Sequence, residues 1–268
     1  MLSLLRHVSK LALRYLPPLA LLCTCLGVSA HPAVRIGTGD WVPYVDQQRA
    51  DGGALAKLTR DIFNAAGYRV EYIYYPWERN LLMLEQGNLD AVMPYSCSAQ
   101  RRRISACSDP VVRGEIVLFQ RADQQLSWAH IDDLKAFRIA TTHGYSYGPQ
   151  FDAALEAGQL QVDQGGKEGT ALRLLRLGRV DFYPQDRAVG YAMLRRLFSP
   201  AERAQISHHP RILNSETLHL LFRKNDARAN QLREVFNVGL RRLAASGELQ
   251  RLQQALYAGD SDQPSTEP

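Results

Sequence analysis

An α/β fold is the architecture this 268-residue sequence predicts, on three observations. From Val34 onward, short apolar runs alternate with stretches of helical periodicity, the order that builds a largely parallel sheet covered by helices. Glycines close the helical stretches at Gly67, Gly87 and Gly178, where a left-handed residue after the last turn is favoured. A short pattern also recurs. Leu84-Glu85-Gln86-Gly87-Asn88-Leu89-Asp90 is echoed by Leu175-Arg176-Leu177-Gly178-Arg179-Val180-Asp181, each a helix end, a capping glycine and a strand begun by an acid. Chance recurrence is the plain alternative for so short a motif. Two similar α/β lobes facing one another would bring the two strand ends to one cleft.

The elements follow in order. Val34-Arg35-Ile36 is a first strand and leads into the turn-rich Gly37 to Tyr44, which carries the aromatics Trp41 and Tyr44. Leu55, Leu58, Ile62 and Ala65 recur at helical spacing. Val70 to Tyr75 is the next strand, Trp77, Leu81 and Leu84 mark another helix, and Leu89 to Met93 is a buried strand. Pro94 is expected to end it, because proline cannot donate to a sheet ladder. Phe137 to Thr142 reads as a strand. His143 to Gly148 reads as a glycine-bounded loop opening a helix at Pro149, whose free N–H groups and dipole make a seat for a carboxylate. Ser199-Pro200-Ala201-Glu202 has the form of a capping box. His208-His209 before Pro210 is expected to be a polar loop, Leu218 to Phe222 a returning strand, and Leu232, Val235, Phe236, Gly239 and Leu243 one face of a long helix.

The ends of the chain carry separate signals. Residues 1–30 have the form of a signal peptide: Arg6, Lys10 and Arg14 precede an apolar stretch, and Val28-Ser29-Ala30 puts small residues at a cleavage site. Pro17-Pro18 leaves the apolar run shorter than the roughly 20 residues of a spanning helix. Neither Cys23 nor Cys25 follows the small residues of a lipid-attachment site. A mature chain from His31 in the periplasm is expected. Losing the three basic residues lowers the formal charge from +5 to +2, and the remaining basic residues are scattered, so no nucleic-acid partner is expected. Residues 259–268 are polar, acidic and proline-bearing, the composition of a disordered tail.

Two cysteines remain in the mature chain, Cys97 and Cys107. In an oxidising compartment they are either a disulfide or two small buried thiols. With no histidine at ligand spacing they make no metal site. The glycine spacing around Gly144 fits neither a dinucleotide fingerprint nor a Walker loop, so no cofactor is expected.

The stretch Asp90 to Pro110 carries the functional signal. Tyr95, Ser96 and Ser98, then Gln100-Arg101-Arg102-Arg103, fall just past a buried strand, where α/β folds place their ligands. A guanidinium there presents the rigid fork that matches a carboxylate. Ser96-Cys97-Ser98-Ala99-Gln100-Arg101, followed by Ser108-Asp109-Pro110, resembles the signature of family 3 periplasmic solute-binding proteins, the amino-acid receptors of ABC importers. The resemblance extends from Val34 to about Tyr257. It implies a type II periplasmic-binding-protein fold with two lobes, each a sheet flanked by helices, and two hinge crossings near Phe119 and Leu218. The first lobe would hold residues 31–118 and 219–258, the second 119–218.

The same resemblance assigns Arg101 and the loop around Ser146 to a ligand carboxylate, and Asp186 with Ser96 to its ammonium. Tyr145 stands where the family has a hydroxyl. Trp41, Tyr44, Trp77, Tyr95 and Tyr145 would line the remainder, while Arg102 and Arg103 are surface charges. The expected protein is a monomer that captures an amino acid or similar small zwitterion for an ABC permease. A receptor for a membrane sensor is one alternative. A cyclohexadienyl or arogenate dehydratase-like enzyme, with Asp186 as its acid, is the other.

Overall fold

In β1 (Ala33–Thr38) Val34 and Ile36 are fully buried while Arg35 between them is exposed, the period-two pattern of a strand. This computed structural model describes residues 31–164 and 169–258. The expected signal peptide at 1–30, with Cys23 and Cys25, and the expected tail at 259–268 lie outside the described residues. Helix α1 (Ala54–Ala65) buries Leu55, Ile62 and Phe63 on one face, and Gly67 closes it at φ 80°, a region that glycine enters without a Cβ penalty. Then come β2 (Arg69–Tyr74), α2 (Trp77–Glu85), β3 (Ala91–Ser96), β4 (Ser105–Cys107) and β5 (Val112–Arg121). The central part of the chain forms β6 (Arg138–Thr141), α3 (Pro149–Glu156), β7 (Gln161–Gln164), α4 (Thr170–Arg176), β8 (Tyr183–Asp186), α5 (Arg187–Leu197) and α6 (Pro200–Arg203). The long β9 (Ile206–Arg223), α7 (Ala227–Ala245) and α8 (Glu248–Ala258) complete it.

The main sheet has the order β2-β1-β3-β9-β5-β8, with β4 also on β9, and a second sheet pairs β6 with β7. Pairing is parallel for β1 with β2 and β3, and for β6 with β7. It is antiparallel wherever β9 takes part, and between β5 and β8. The expectation of largely parallel pairing is therefore corrected to a mixed sheet. Its cause is β9, which returns along β3, β4 and β5 in the opposite direction. The expected crossings near Phe119 and Leu218 fall inside the paired strands β5 and β9.

Two further expectations change for one reason. β3 runs through Pro94 to Ser96, and its register on β9 shifts between Val92 and Tyr95. His208 and His209 belong to β9, not to a polar loop, and the β5–β9 register shifts between Val117, opposite Ile212, and Phe119, opposite His208. Each proline thus lies in a bulge, where a missing N–H breaks no ladder bond. His208 bonds the Tyr191 hydroxyl at 2.7 Å and packs on the ring of Phe119.

The repeat seen in the sequence has a structural counterpart. The Asp90 carboxylate accepts from the Arg35 amide at 2.8 Å, and the Asp181 carboxylate accepts from the Arg138 amide at 2.8 Å. The capping glycines before them have φ of 77° and 68°. The capping box forms as expected, Ser199 and Glu202 bonding reciprocally. One apolar core is built around Ile36, Phe63, Met93, Phe119, Tyr183 and Phe236. Another gathers Ile116, Leu118, Trp128, Ile139, Phe151 and Phe182. Among the described residues no helix is long and apolar enough to cross a membrane.

Candidate functional site

Past Ser96 the chain leaves the sheet, and Cys97 is bonded to Cys107 with Cα atoms 6.1 Å apart. Between them Arg101–Arg103 make one 3-10 turn. The Ser98 hydroxyl accepts from the Arg101 amide at 3.2 Å, and Ser105 donates to the Arg101 carbonyl at 2.7 Å. The half-buried guanidinium of Arg101 donates to Ser96 Oγ at 2.6 Å and to Ser96 O at 3.2 Å, and lies 5.0 Å from the ring centre of Tyr95. Arg102 and Arg103 are exposed, as expected, and Arg102 donates to Cys97 O at 2.5 Å. Ser98 thus shapes the Arg101 turn and lines the outer groove, not the inner cavity.

Arg101, Ser96, Tyr95, Trp41, Trp77, Tyr145 and Ser146 come together around a cavity of about 60 Å³. This cavity continues into a groove of about 1430 Å³. The aromatic wall is continuous: Trp41 lies 6.1 Å from Trp77, which lies 5.5 Å edge-on to Tyr95. Trp77 is placed by Gly39, where a Cβ would come within 2.9 Å of the indole. Tyr95 is held by its hydroxyl, which donates to Trp77 O at 2.8 Å. Among the described residues the buried Trp41 Nε1 meets no hydrogen-bond partner.

Glu216 was missed in the sequence and lines the same cavity. Burial raises its carboxyl above the usual range, while Arg101 and a hydrogen bond from Ser96 pull the other way. Burial lowers the Arg101 guanidinium, opposed by Tyr95, Glu216 and Asp152. A polar run, Asn214-Ser215-Glu216-Thr217, immediately before an apolar strand was the available signal. It pairs with β5 at the mouth of the site, Gly114 opposite Glu216.

The loop before α3 differs from expectation. Pro149 does open the helix, with Gly148 before it at φ 112°. Asp152 of that helix turns back on the loop: its carboxylate accepts from Ser146 Oγ at 2.6 Å and from the Tyr147 amide at 2.9 Å.

Asp186 lies outside both the cavity and the groove. It ends β8 and caps α5, accepting from the Val189 amide at 3.1 Å. Its carboxylate also accepts from the Tyr44 hydroxyl at 3.1 Å and 3.2 Å, and only 1% of the residue is exposed. Tyr44 is fully buried, so it too stands behind the cavity, stacked on Trp41 at 4.7 Å. Burial, and then Asp186, push its hydroxyl well above the ordinary tyrosine range. Among the described residues no group of three or more His, Cys, Asp or Glu is placed to hold a metal ion.

A mixed α/β sheet flanked by helices, with an arginine and aromatics at the end of its strands, defines a solute-binding architecture. The chain belongs to the bacterial extracellular solute-binding proteins, family 3, whose model matches residues 34–258, and its fold is the type II periplasmic-binding-protein fold. Several solved structures are similar to it. One is the substrate-binding protein of an amino acid ABC transporter, 21% identical over 84% of this chain and 99% of that one, with a TM-score of 0.68. A histidine kinase sensor domain is 22% identical over 85% and 97%, with a TM-score of 0.70. An ancestral amino acid-binding protein, a precursor of cyclohexadienyl dehydratase, is 20% identical over 84% and 95%, with a TM-score of 0.67. No curated protein matches the sequence significantly.

Proposed function

We propose that the protein is a periplasmic receptor that captures an amino acid or similar small zwitterion in the cavity around Arg101, for ABC-type import. One observation carries the reading: a half-buried guanidinium and a half-buried carboxylate, Arg101 and Glu216, line one aromatic-walled cavity. A zwitterion leaving water needs an opposite charge or several hydrogen bonds for each of its own charges. Arg101 supplies the fork for the ligand carboxylate, and Glu216 takes the ammonium in place of Asp186. Ser96 links the two, accepting from Arg101 and bonding to Glu216.

The lobes that close around the ligand are residues 31–118 with 219–258, and 119–218. Export through the segment 1–30 brings the chain to the periplasm. Capture for a membrane sensor uses the same site and differs only in the partner. The enzymatic reading rests on Asp186, whose carboxylate is committed to Tyr44 and to the start of α5.

A thermal-shift screen with amino acids, polyamines and small organic acids finds the ligand, since one present at 100 times its Kd adds about 2.7 kcal/mol of stability. Calorimetry then compares variants. Arg101→Ala is expected to weaken binding at least about tenfold, or roughly 1.4 kcal/mol, and Arg102→Ala to leave it unchanged. Equal affinity in wild type and Arg101→Ala would sink the proposal.

A further inference from the structure

Helix α8 reaches the back of the site through two side chains, Gln253 and Tyr257. β8 pairs with β5 only from Ile116 to Phe119, so among the described residues no strand lies beside that edge of β5 at Arg113. The Gln253 carboxamide stands in for one: its Oε1 accepts from the Arg113 amide at 2.9 Å and its Nε2 donates to Arg113 O at 2.8 Å. A carboxamide offers the donor and acceptor of a peptide unit, so it satisfies a strand edge as another strand would. Arg113 and Gly114 are paired on their other side with Thr217 and Glu216. The clamp therefore holds the stretch of β5 on which the Glu216 backbone rests.

Tyr257 extends the contact inward. Its hydroxyl donates to Arg113 O at 3.0 Å, and its ring centre lies 4.5 Å from the Arg187 guanidinium, which pairs with Glu115 at 2.9 Å. Burial, and then Asp186, push this hydroxyl up to about 12, so it is a neutral phenol at ordinary pH. A phenol oxygen keeps its lone pairs after giving up its one proton, and the Tyr44 hydroxyl is beside them. Tyr44 is fully buried and stacks on Trp41 at 4.7 Å. Trp41 is a wall of the ligand cavity, and a close-packed interior transmits a displacement instead of absorbing it. Neither Gln253 nor Tyr257 lines the cavity or the groove. Leu249, Leu252 and Leu256 pack α8 on the apolar core, so the helix stays docked when one polar group is removed.

We propose that Tyr257 and Gln253 are positioning residues of the binding site: Tyr257 sets the Trp41 wall through Tyr44, and Gln253 sets Glu216 through β5. Both roles rest on the receptor function proposed above.

Two variants separate the two routes. Tyr257→Phe keeps the ring against Arg187 and loses the hydroxyl. Gln253→Glu keeps the size and the acceptor and, ionised, has no N–H for Arg113 O. The first measurement needs no ligand: the indole N–H signals in a proton–nitrogen correlation spectrum of the mature chain, with the Trp41 signal assigned by its loss in Trp41→Phe. Tyr257→Phe is expected to shift the Trp41 signal and to leave in place that of Trp128, which belongs to the other core. The second measurement is calorimetry with each common L-amino acid in turn. For any that the wild type binds, each variant is expected to weaken Kd about threefold to tenfold, the range for groups that act through packed neighbours. In a Trp41→Phe background the cost of Tyr257→Phe should shrink below about twofold. Lower melting temperatures with Kd and the Trp41 signal unchanged would make α8 a purely structural element and overturn both roles while the receptor function stands. Binding of no amino acid by the wild type would remove the receptor function and the positioning roles together. If one variant fails to fold in a melting scan, the Kd of the other decides.

Discussion

Asp90 and Asp181 do the same work in the two halves of the repeat, and the segments that follow them do not. Each aspartate accepts from the amide of a neighbouring strand, Arg35 or Arg138, and returns its own amide to the same residue's carbonyl, at 2.9 Å and 2.7 Å respectively. Past β3 the chain enters an irregular loop closed by the Cys97–Cys107 bond, and Arg101 reaches the cavity. Past β8 it passes directly into α5, and the Asp186 carboxylate is consumed by the helix start and Tyr44. A helix that begins at once uses the nearby acid as its cap. An irregular loop leaves a charge free for a ligand and needs another constraint to hold it.

The largest expected effect is at that constraint. The disulfide spans a sequence separation of 10, a loop whose closure contributes about 3 kcal/mol by restricting the unfolded chain. Reduction should lower the melting temperature and also weaken ligand binding, because the closed loop carries Arg101. Two reactive thiols in unreduced, unfolded protein would remove the constraint from the comparison.

Next in size is Asp186→Ala. It removes a helix cap, at about 1 kcal/mol, and leaves the buried Tyr44 hydroxyl without this acceptor, at about 1–3 kcal/mol. A loss of roughly 2–3 kcal/mol in denaturant unfolding is expected, with ligand affinity in the folded variant changed less than about tenfold. The reverse pattern, unchanged stability and a large loss of affinity, would return Asp186 to the ligand site and make the two strand ends functional equals.

Much of this was legible in the sequence, and the failures share a cause. The helices and their capping glycines were readable because periodicity and φ preference are local. Arg101, Ser96 and Tyr95, which line one cavity, stood out because a strand end followed by hydroxyls and a guanidinium is also local. His208 and His209 were read as a loop because the run from Ser207 to Arg211 is polar and holds a proline, and only pairing with β5 makes it a strand. Asp186 was assigned to the ammonium by the family resemblance, but its carboxylate caps α5 and meets Tyr44, 142 residues away, a contact that no local pattern marks. Helical spacing alone did not mark Asp152 as turned back on its own loop, where it holds Ser146 and Tyr147.

The smallest effect tests the equivalence itself. Asp90→Asn and Asp181→Asn each keep the side-chain volume and remove the charge. Asp90 also holds Arg228 at 3.1 Å, and Asp181 holds Arg138 at 3.0 Å and 3.2 Å. Each substitution is expected to cost about 1 kcal/mol after allowance for solvent screening, and the double variant about the sum, since the two acids lie beside different sheets. For Asp181, burial raises the carboxyl, but the bonds from Arg138 outweigh it and hold it below the usual range. A depressed folded value means that the unfolded chain binds the proton more readily. The stabilisation is thus full above about pH 4 and is lost as pH falls through the folded value. Wild type and Asp181→Asn should differ in urea midpoint at neutral pH and converge in acid. A cost at one aspartate and none at the other would show that the two corners share a shape but not an energetic role.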